Sequence, residues 1–379
     1  MSRSGSRGRR RPAIRRTAGG LALFADPRAL PADALALLAA REGRCLFGSL
    51  AWYRTVIDHG LGAGETGCFA VWPPHGPPDA IFPLMRAAQG DLRSLTNPYS
   101  CVYAPLLAPR LGDDRILRAG EALGVLCREA ARVRLEALPE EWPALPPLLE
   151  GVRRAGLVVR RFNHFGNWHE QVGGVSWAGY LAARPGALRE TMRRKLRRVA
   201  RARSVAIEVV EGEEGLAAGI EAFETVYGRS WKEPEPFASF NPALMRAISP
   251  LRSLRLGLMR IEGEPVAAQF WIVEDGRATV LKLAHDERFK AYSPGTVLTA
   301  SMLRRLIDEE RVREIDFGRG DDRYKSAWAS RRRQRIGVLL INPRRPRGLI
   351  IVLGEALGAG RRAVRSVLAH PRATSRADS

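Results

Sequence analysis

A chain of 379 residues, 45% hydrophobic and 27% charged, has an ordinary globular balance with material for sizeable cores, and its length favours two domains. The net charge of +21 is not ordinary, and it is unevenly placed. No apolar run reaches the roughly 18 residues of a membrane span, and without zinc-finger spacing or an RNP-type aromatic motif, specific nucleic-acid binding is not expected.

In chain order, the first sixteen residues carry Arg3, Arg7, Arg9, Arg10, Arg11, Arg15 and Arg16 with no acid, and 1–20 reads as a disordered basic tail. A first unit is expected over 21–176. Within it, 31–40 reads as a helix, and 68–72 and 80–84 as strands joined by a Pro/Gly turn. A helix over 113–132, a strand at 133–135, a helix over 145–155 and a strand at 157–162 complete it. The second unit, 177–343, begins at 177–181 and continues with a helix over 187–203. There Leu188, Met192, Leu196 and Val199 share one face, and arginines crowd the other. A strand at 205–210, a helix over 214–229 and three antiparallel strands at 254–261, 264–273 and 278–284 follow, with tight turns at Glu262-Gly263 and Asp275-Gly276. Next come a helix opening at Ser293, a strand at 314–317 and another at 336–341. The end, 344–379, reads as a basic segment with a helix over 349–369.

Cys45, Cys68, Cys101 and Cys127 are widely spaced and read as ordinary thiols in a reducing compartment. Asp26-Pro27 cuts short the only apolar stretch near the N-terminus, so no signal peptide is evident and a cytoplasmic protein is expected. The histidines show no metal-ligand spacing, and no metal site is expected.

The chemistry concentrates in 279–328. Ser293-Pro294-Gly295 combines an N-cap residue, a first-turn proline and a glycine that allows close approach. With Thr296 and Val297 it would aim backbone N–H groups at an anion. Read alone, it is equally a well-made helix start. Glu314 and Asp316 lie two apart on a strand and share a face, with Ile315 and Phe317 opposite. Asp316 is a candidate general base or acceptor-fixing group, or else the anchor of the following turn. Tyr324 is a candidate proton donor or a structural tyrosine, and Lys325 a phosphate or carboxylate partner or a surface lysine. His285, in a loop with Asp286 and Glu287, is a candidate base or a bystander.

Several motifs, in order, carry a resemblance. They are Arg193-x-Lys195-x-x-Arg198, Tyr227-x-x-Ser230-Trp231-Lys232, Ala268-Gln269-x-Trp271, Lys282 with His285-Asp286-Glu287, Pro294-Gly295, and Asp316-Phe317-Gly318-x-Gly320-Asp321-x-x-Tyr324-Lys325-x-x-Trp328. Weaker echoes occur at Trp52-Tyr53, Phe82-Pro83-Leu84, Asn97-Pro98-Tyr99 and Asn167-Trp168. Over 180–341 the chain resembles the CelD-like branch of the GNAT acyltransferases, associated with cellulose and exopolysaccharide synthesis, and more distantly the FemAB-type aminoacyl transferases. The usual Arg/Gln-x-x-Gly-x-Gly/Ala turn of GNAT enzymes is replaced here by Pro294-Gly295.

The resemblance implies an α/β (α+β) fold of two tandem GNAT-like domains, with mixed, mainly antiparallel sheets flanked by helices and a degenerate first domain. It implies an N-acyltransferase with acetyl-CoA or acyl-CoA as co-substrate and no permanently bound cofactor. Leu281, Lys282, Leu283 and the 293–297 helix start would bind the donor. Trp231, Gln269 and Lys325 would hold an amine acceptor, either a small molecule or an envelope precursor. The alternatives are aminoacyl transfer from charged tRNA, or a non-catalytic protein of the same fold that binds membrane or polyanion through its basic segments. The C-terminal segment would then sit at the inner face of an anionic membrane.

Overall fold

The computed structural model describes residues 16–88, 90–199 and 204–354. A hairpin of β1 (Arg16–Ala18) and β2 (Leu21–Phe24) begins inside the stretch read as a tail. Helices α1 (Ala32–Ala39) and α2 (Leu50–His59) follow. The second is capped by the Ser49 hydroxyl, which accepts the Trp52 N–H at 3.1 Å. Next come β3 (Thr66–Trp72), β4 (Ala80–Arg86), β5 (Leu92–Ser94) and β6 (Leu106–Leu107). Helix α3 (Asp113–Cys127), β7 (Arg132–Pro139), α4 (Leu145–Arg154) and β8 (Val158–Gln171) close the first half.

The second half opens with α5 (Trp177–Ala182), α6 (Gly186–Val199), β9 (Val205–Val210), α7 (Leu216–Gly228) and α8 (Phe240–Ile248). The meander β10 (Leu254–Ile261), β11 (Glu264–Glu274) and β12 (Arg277–His285) leads into α9 (Pro294–Arg304). Strand β13 (Glu314–Asp316), the short α10 (Lys325–Trp328) and β14 (Arg331–Ile341) complete it. Residues 346–354 are helical, and the remainder of the helix expected over 349–369 lies outside the described residues.

Helices α2 and α8, and the single turn α10, were not expected. Helix α8 has Asn241-Pro242 in its first turn and stops just before Ser249-Pro250, and both dipeptides favour turns locally. It is helical because Phe240, Leu244, Met245 and Ile248 are buried on one face. Phe240 stacks on Tyr99 at 4.2 Å and meets Trp52 edge-on at 5.5 Å, so one apolar core joins the two halves.

All strands share one sheet, in the order β1-β2-β3-β4-β5-β7-β14-β8-β13-β12-β11-β10-β9, with β6 beside β4. Pairing is antiparallel except at β5–β7 and β12–β13. The central run β5-β7-β14-β8-β13-β12 is pseudo-symmetric. In each half a meander ends at a parallel junction bridged by a crossover helix, and the last strand of each half lies beside the other half. β14 sits between β7 and β8, while β8 pairs β13 through His169–Gln171.

Candidate active site

The site is a consequence of how β12 is paired. It meets β13 at only three positions, Arg277↔Glu314, Ala278↔Ile315 and Thr279↔Asp316, and then the strands part. On its other edge the register with β11 steps from Trp271↔Val280 to Phe270↔Lys282, leaving Leu281 as the extra residue of a bulge. Beyond β13 the chain turns at Gly318, whose φ of 64° is left-handed and where a Cβ would lie 2.4 Å from the Val280 carbonyl oxygen. Only glycine fits there.

A cavity of about 380 Å³ opens in the gap between Val280–Leu283 and Phe317–Gly320. The first half contributes Tyr99 and Cys101, the loop between α7 and α8 contributes Lys232, and the segment after β13 contributes Arg319, Asp322, Tyr324 and Lys325.

The floor is a saturated ionic network. Asp316 is only 5% exposed. One of its oxygens accepts the Asn167 side-chain N–H at 2.6 Å and the Gly318 backbone N–H at 2.7 Å; the other accepts from Arg333. Arg333 also bonds Glu314 at 2.9 Å, which confirms that both carboxylates project to one face. Burial works against the charge of Asp316, but Arg333, Asn167 and the Gly318 N–H hold its carboxyl below the usual range. Asp316 does not line the cavity, so its expected place facing an acceptor is corrected: its oxygens are spent on the turn and the neighbouring strands. The surface reading of Lys325 is corrected too. It is 3% exposed, and its ammonium donates to the carbonyls of Arg319 at 2.6 Å and Gly320 at 3.3 Å and pairs with Asp322 at 3.0 Å.

At the rim, Lys282 donates to Glu235 at 2.6 Å and lies over the Tyr99 ring at 4.5 Å. Burial opposes the Glu235 charge, yet Lys282 and the Tyr227 and Tyr99 hydroxyls hold that carboxyl below its usual range. Lys232 is half-buried, and burial, reinforced by Lys282, pushes its pKa down. Tyr324 is 42% exposed at the cavity wall. The Cys101 thiol is pushed up to about 12 by burial and by Asp316, which keeps it protonated and a poor nucleophile.

The remaining candidates gather beside the cavity rather than in it. Ser293 takes a left-handed φ of 52° and its hydroxyl makes no cap bond, so the expected side-chain N-cap is corrected; its carbonyl accepts the Thr296 and Val297 N–H groups instead. Pro294 and Val297 are buried. Gln269 ties β11 to this helix start, donating to the Thr299 hydroxyl at 2.7 Å and the Gly295 carbonyl at 3.2 Å while accepting the Trp271 indole N–H at 2.9 Å. It is 1% exposed and braces α9 rather than meeting an acceptor. His285 packs against Gly295, pairs with Glu287 at 3.2 Å and lies 4.5 Å from the exposed Trp231 ring. Burial lowers its pKa, so the neutral imidazole prevails. Arg198 of α6 lies 5.4 Å over the Tyr292 ring, which brings the basic helix to the segment leading into α9.

Leu281, Lys282, Leu283, Tyr324 and Lys325 thus share the cavity, whereas Gln269, His285 and 293–297 form its neighbouring shoulder. Arg319, Asp322, Glu235 and Arg333 were missed by residue type and spacing alone. Arg333 shares the face of Asp316 through the register of β8, in which His169 opposes Asp316 and Asn167 opposes Arg333, a cross-strand relation without a local signal. Among the described residues no cluster of histidine, cysteine and carboxylate side chains is placed to hold a metal ion, and no helix is long and apolar enough to cross a membrane.

Residues 186–326 match the family model described as Acetyltransferase (GNAT) domain. No curated protein sequence gives a significant match. Among solved structures, FemX is similar at a TM-score of 0.54 and 11% identity, over 81% of this chain and 94% of that one. The C-terminal domain of a putative lysylphosphatidylglycerol synthetase from Agrobacterium fabrum is similar at 0.53 and 15%, over 85% and 95%. L-PGS from Bacillus licheniformis is similar at 0.50 and 12%, over 88% and 97%. The likeness to these structures is one of fold, while residues 186–326, which supply most of the cavity lining, are similar in sequence to the acetyltransferase (GNAT) domain.

Proposed function

We propose that this protein is an acyltransferase that moves an acyl group from a thioester, acetyl-CoA or a longer acyl-CoA, to an amine of a polysaccharide or cell-envelope precursor. The observation that carries the reading is the gap between β12 and β13 at the Leu281 bulge, inside the segment similar to the acetyltransferase domain. Backbone freed from pairing near Leu281–Leu283 would hold and polarise the thioester carbonyl. The start of α9, flanked by the basic α6, would face the donor's phosphates, with His285 beside them.

The amine would enter from the side of Tyr99 and Lys232. Its nitrogen attacks the carbonyl carbon, the C–S bond breaks, and the ammonium proton passes to Asp322, the carboxylate among the lining residues. Tyr324 protonates the departing thiolate. Asp316 serves this chemistry by fixing the Gly318–Gly320 turn.

Isothermal titration with acetyl-CoA, a long-chain acyl-CoA and acylated carrier protein tests the donor class, and absence of binding to all three would remove it. Tyr324→Phe should lower kcat by about 10²-fold or more if the hydroxyl is the proton donor. An unchanged kcat would assign that proton to water.

A second reading, aminoacyl transfer from charged tRNA, is favoured by the fold likeness to FemX together with the basic α6. It predicts activity that vanishes on ribonuclease treatment. For peripheral membrane contact, exposed Leu349, Ile350 and Leu353 beside Arg344, Arg345 and Arg347 are the supporting observation. Flotation with anionic vesicles, with and without serine at those three positions, tests it.

A further inference from the structure

The cavity holds more positive charge than its own carboxylates balance. Glu235 is taken by Lys282 at 2.6 Å, and Asp322 by Lys325 at 3.0 Å. Lys232 and Arg319 remain. Neither has a carboxylate within 4.0 Å among the described residues, although both line the cavity and both are half-buried. Arg319 has only weak polar contacts, the Ser100 carbonyl at 3.5 Å and the His164 ring at 3.4 Å, and it lies 4.6 Å over the Phe165 ring. Lys232 lies 5.7 Å from the Trp231 ring and 5.8 Å from the Tyr227 ring. Burial and Lys282 lower the pKa of Lys232, and burial lowers that of Arg319, so both charges are held against a penalty. Partly desolvated cations without counter-charges weaken a fold unless a ligand completes them.

Leu281–Leu283, expected to hold the donor's thioester, share this cavity, but Lys232 and Arg319 come from other segments. Lys232 comes from the loop between α7 and α8, and Arg319 reaches back to Ser100 and His164 of the first half. The helix start expected to meet the donor lies outside the cavity lining.

We infer that the acceptor carries a fixed oxyanion, a phosphate or a carboxylate, in addition to its amine, and that Lys232 and Arg319 recognise it. The inference rests on the acyltransfer reading only for the word acceptor; the anion site stands on the cavity itself. The acceptor is then zwitterionic, with its amine toward Asp322 and its anion toward the surplus cations, and a neutral amine of the same shape is discriminated against.

The test uses the full chain and matched probes that differ by one anionic group, glucosamine against glucosamine 6-phosphate and glycinamide against glycine. Binding is read without any thioester, from the fluorescence of Trp231 beside Lys232. At least one anionic probe should bind tenfold or more tightly than its neutral partner. Lys232→Met and Arg319→Met should each erase most of that preference, and Lys232→Arg should keep it. Equal binding within both pairs, absence of saturable binding by all four probes, or a preference untouched by the two methionine variants overturns the inference. An anion preference without turnover of acetyl-CoA would instead sustain the inference and remove the acyltransfer reading. Turnover of neutral and anionic amines at equal kcat/KM would do the reverse.

Discussion

At the β5–β7 junction the parallel strands are held by Leu92↔Val133 and Arg93↔Arg134, and beyond those pairs the protein closes the gap with its own chain. The Ser94 hydroxyl accepts the Glu136 N–H at 2.9 Å, the Tyr103 N–H donates to the Ala137 carbonyl at 2.9 Å, and the side chains of Leu95 and Tyr103 are buried there. At the equivalent β12–β13 junction the chain turns away at Gly318, and the space is walled by lysines, an arginine and tyrosines instead of being filled. The same strand order makes a gap in both halves. Side chains then decide whether that gap becomes core or site. The segment that fills the first gap also supplies Tyr99 and Cys101 to the wall of the second, so the closed half shapes the open one.

Breaking the closed junction should have the largest effect on stability. Tyr103→Ala removes a side chain 2% exposed and should cost about 3–5 kcal/mol in urea unfolding. A loss below about 1 kcal/mol would mean that this gap is not packed.

Gly318→Ala attacks the open junction at its narrowest point. The left-handed backbone alone should cost about 1–3 kcal/mol, and the overlap with the Val280 carbonyl should force β12 and the following turn apart. Weaker thioester binding by calorimetry should accompany the loss, and wild-type affinity would show that the cleft tolerates the shift.

Glu274, the last residue of β11, tests the closed end of the β11–β12 hairpin, where its carboxylate accepts the Leu46 N–H from the first half at 2.7 Å. Burial pushes it up to about 7 from an ordinary value of 4.5. The folded chain therefore keeps a proton that the unfolded chain releases. Its contribution is full below about pH 4.5 and is lost as the pH rises through about 7. The loss should amount to about 2 kcal/mol after allowance for solvent at the partly exposed carboxyl. Thermal unfolding of Glu274→Gln across pH 5–8 should show a flatter profile than wild type; parallel profiles would exclude the proton linkage.

The smallest effect belongs to the open site. Lys232→Met should leave stability within about 0.5 kcal/mol of wild type, or raise it slightly, because it deletes a half-buried charge that has no carboxylate partner. A loss above about 1 kcal/mol would mean that Lys232 supports the fold.

Much of this could be read locally. The meander β10–β12, the crossover α9 and the shared face of Glu314 and Asp316 follow from alternation, turn residues and helical spacing. The polar candidates Lys282, Tyr324 and Lys325 also fall in the cavity. What failed was the assignment of exposure. Asp316 and Lys325 look available in sequence, but folding consumes both: Asp316 bonds Asn167 of the first half and Arg333 of β14, and Lys325 turns back on the nearby Arg319 and Gly320 carbonyls. Helix α8 was invisible because Asn241-Pro242 and Ser249-Pro250 signal turns, while packing against Tyr99 and Trp52 rewards a helix.

Periodicity, turn residues and charge act within a few residues, and they specify the order and type of most elements, the basic helix α6 and the stretch in which the chemistry lies. Folding in three dimensions places β14 between β7 and β8, seals Asp316 while Asp322 stays open, and leaves Lys232 and Arg319 without a carboxylate within 4.0 Å among the described residues. The strand order and the Asn167–Asp316 bond join residues more than a hundred positions apart, and strand register and burial then set which charges are paired and which remain for a ligand.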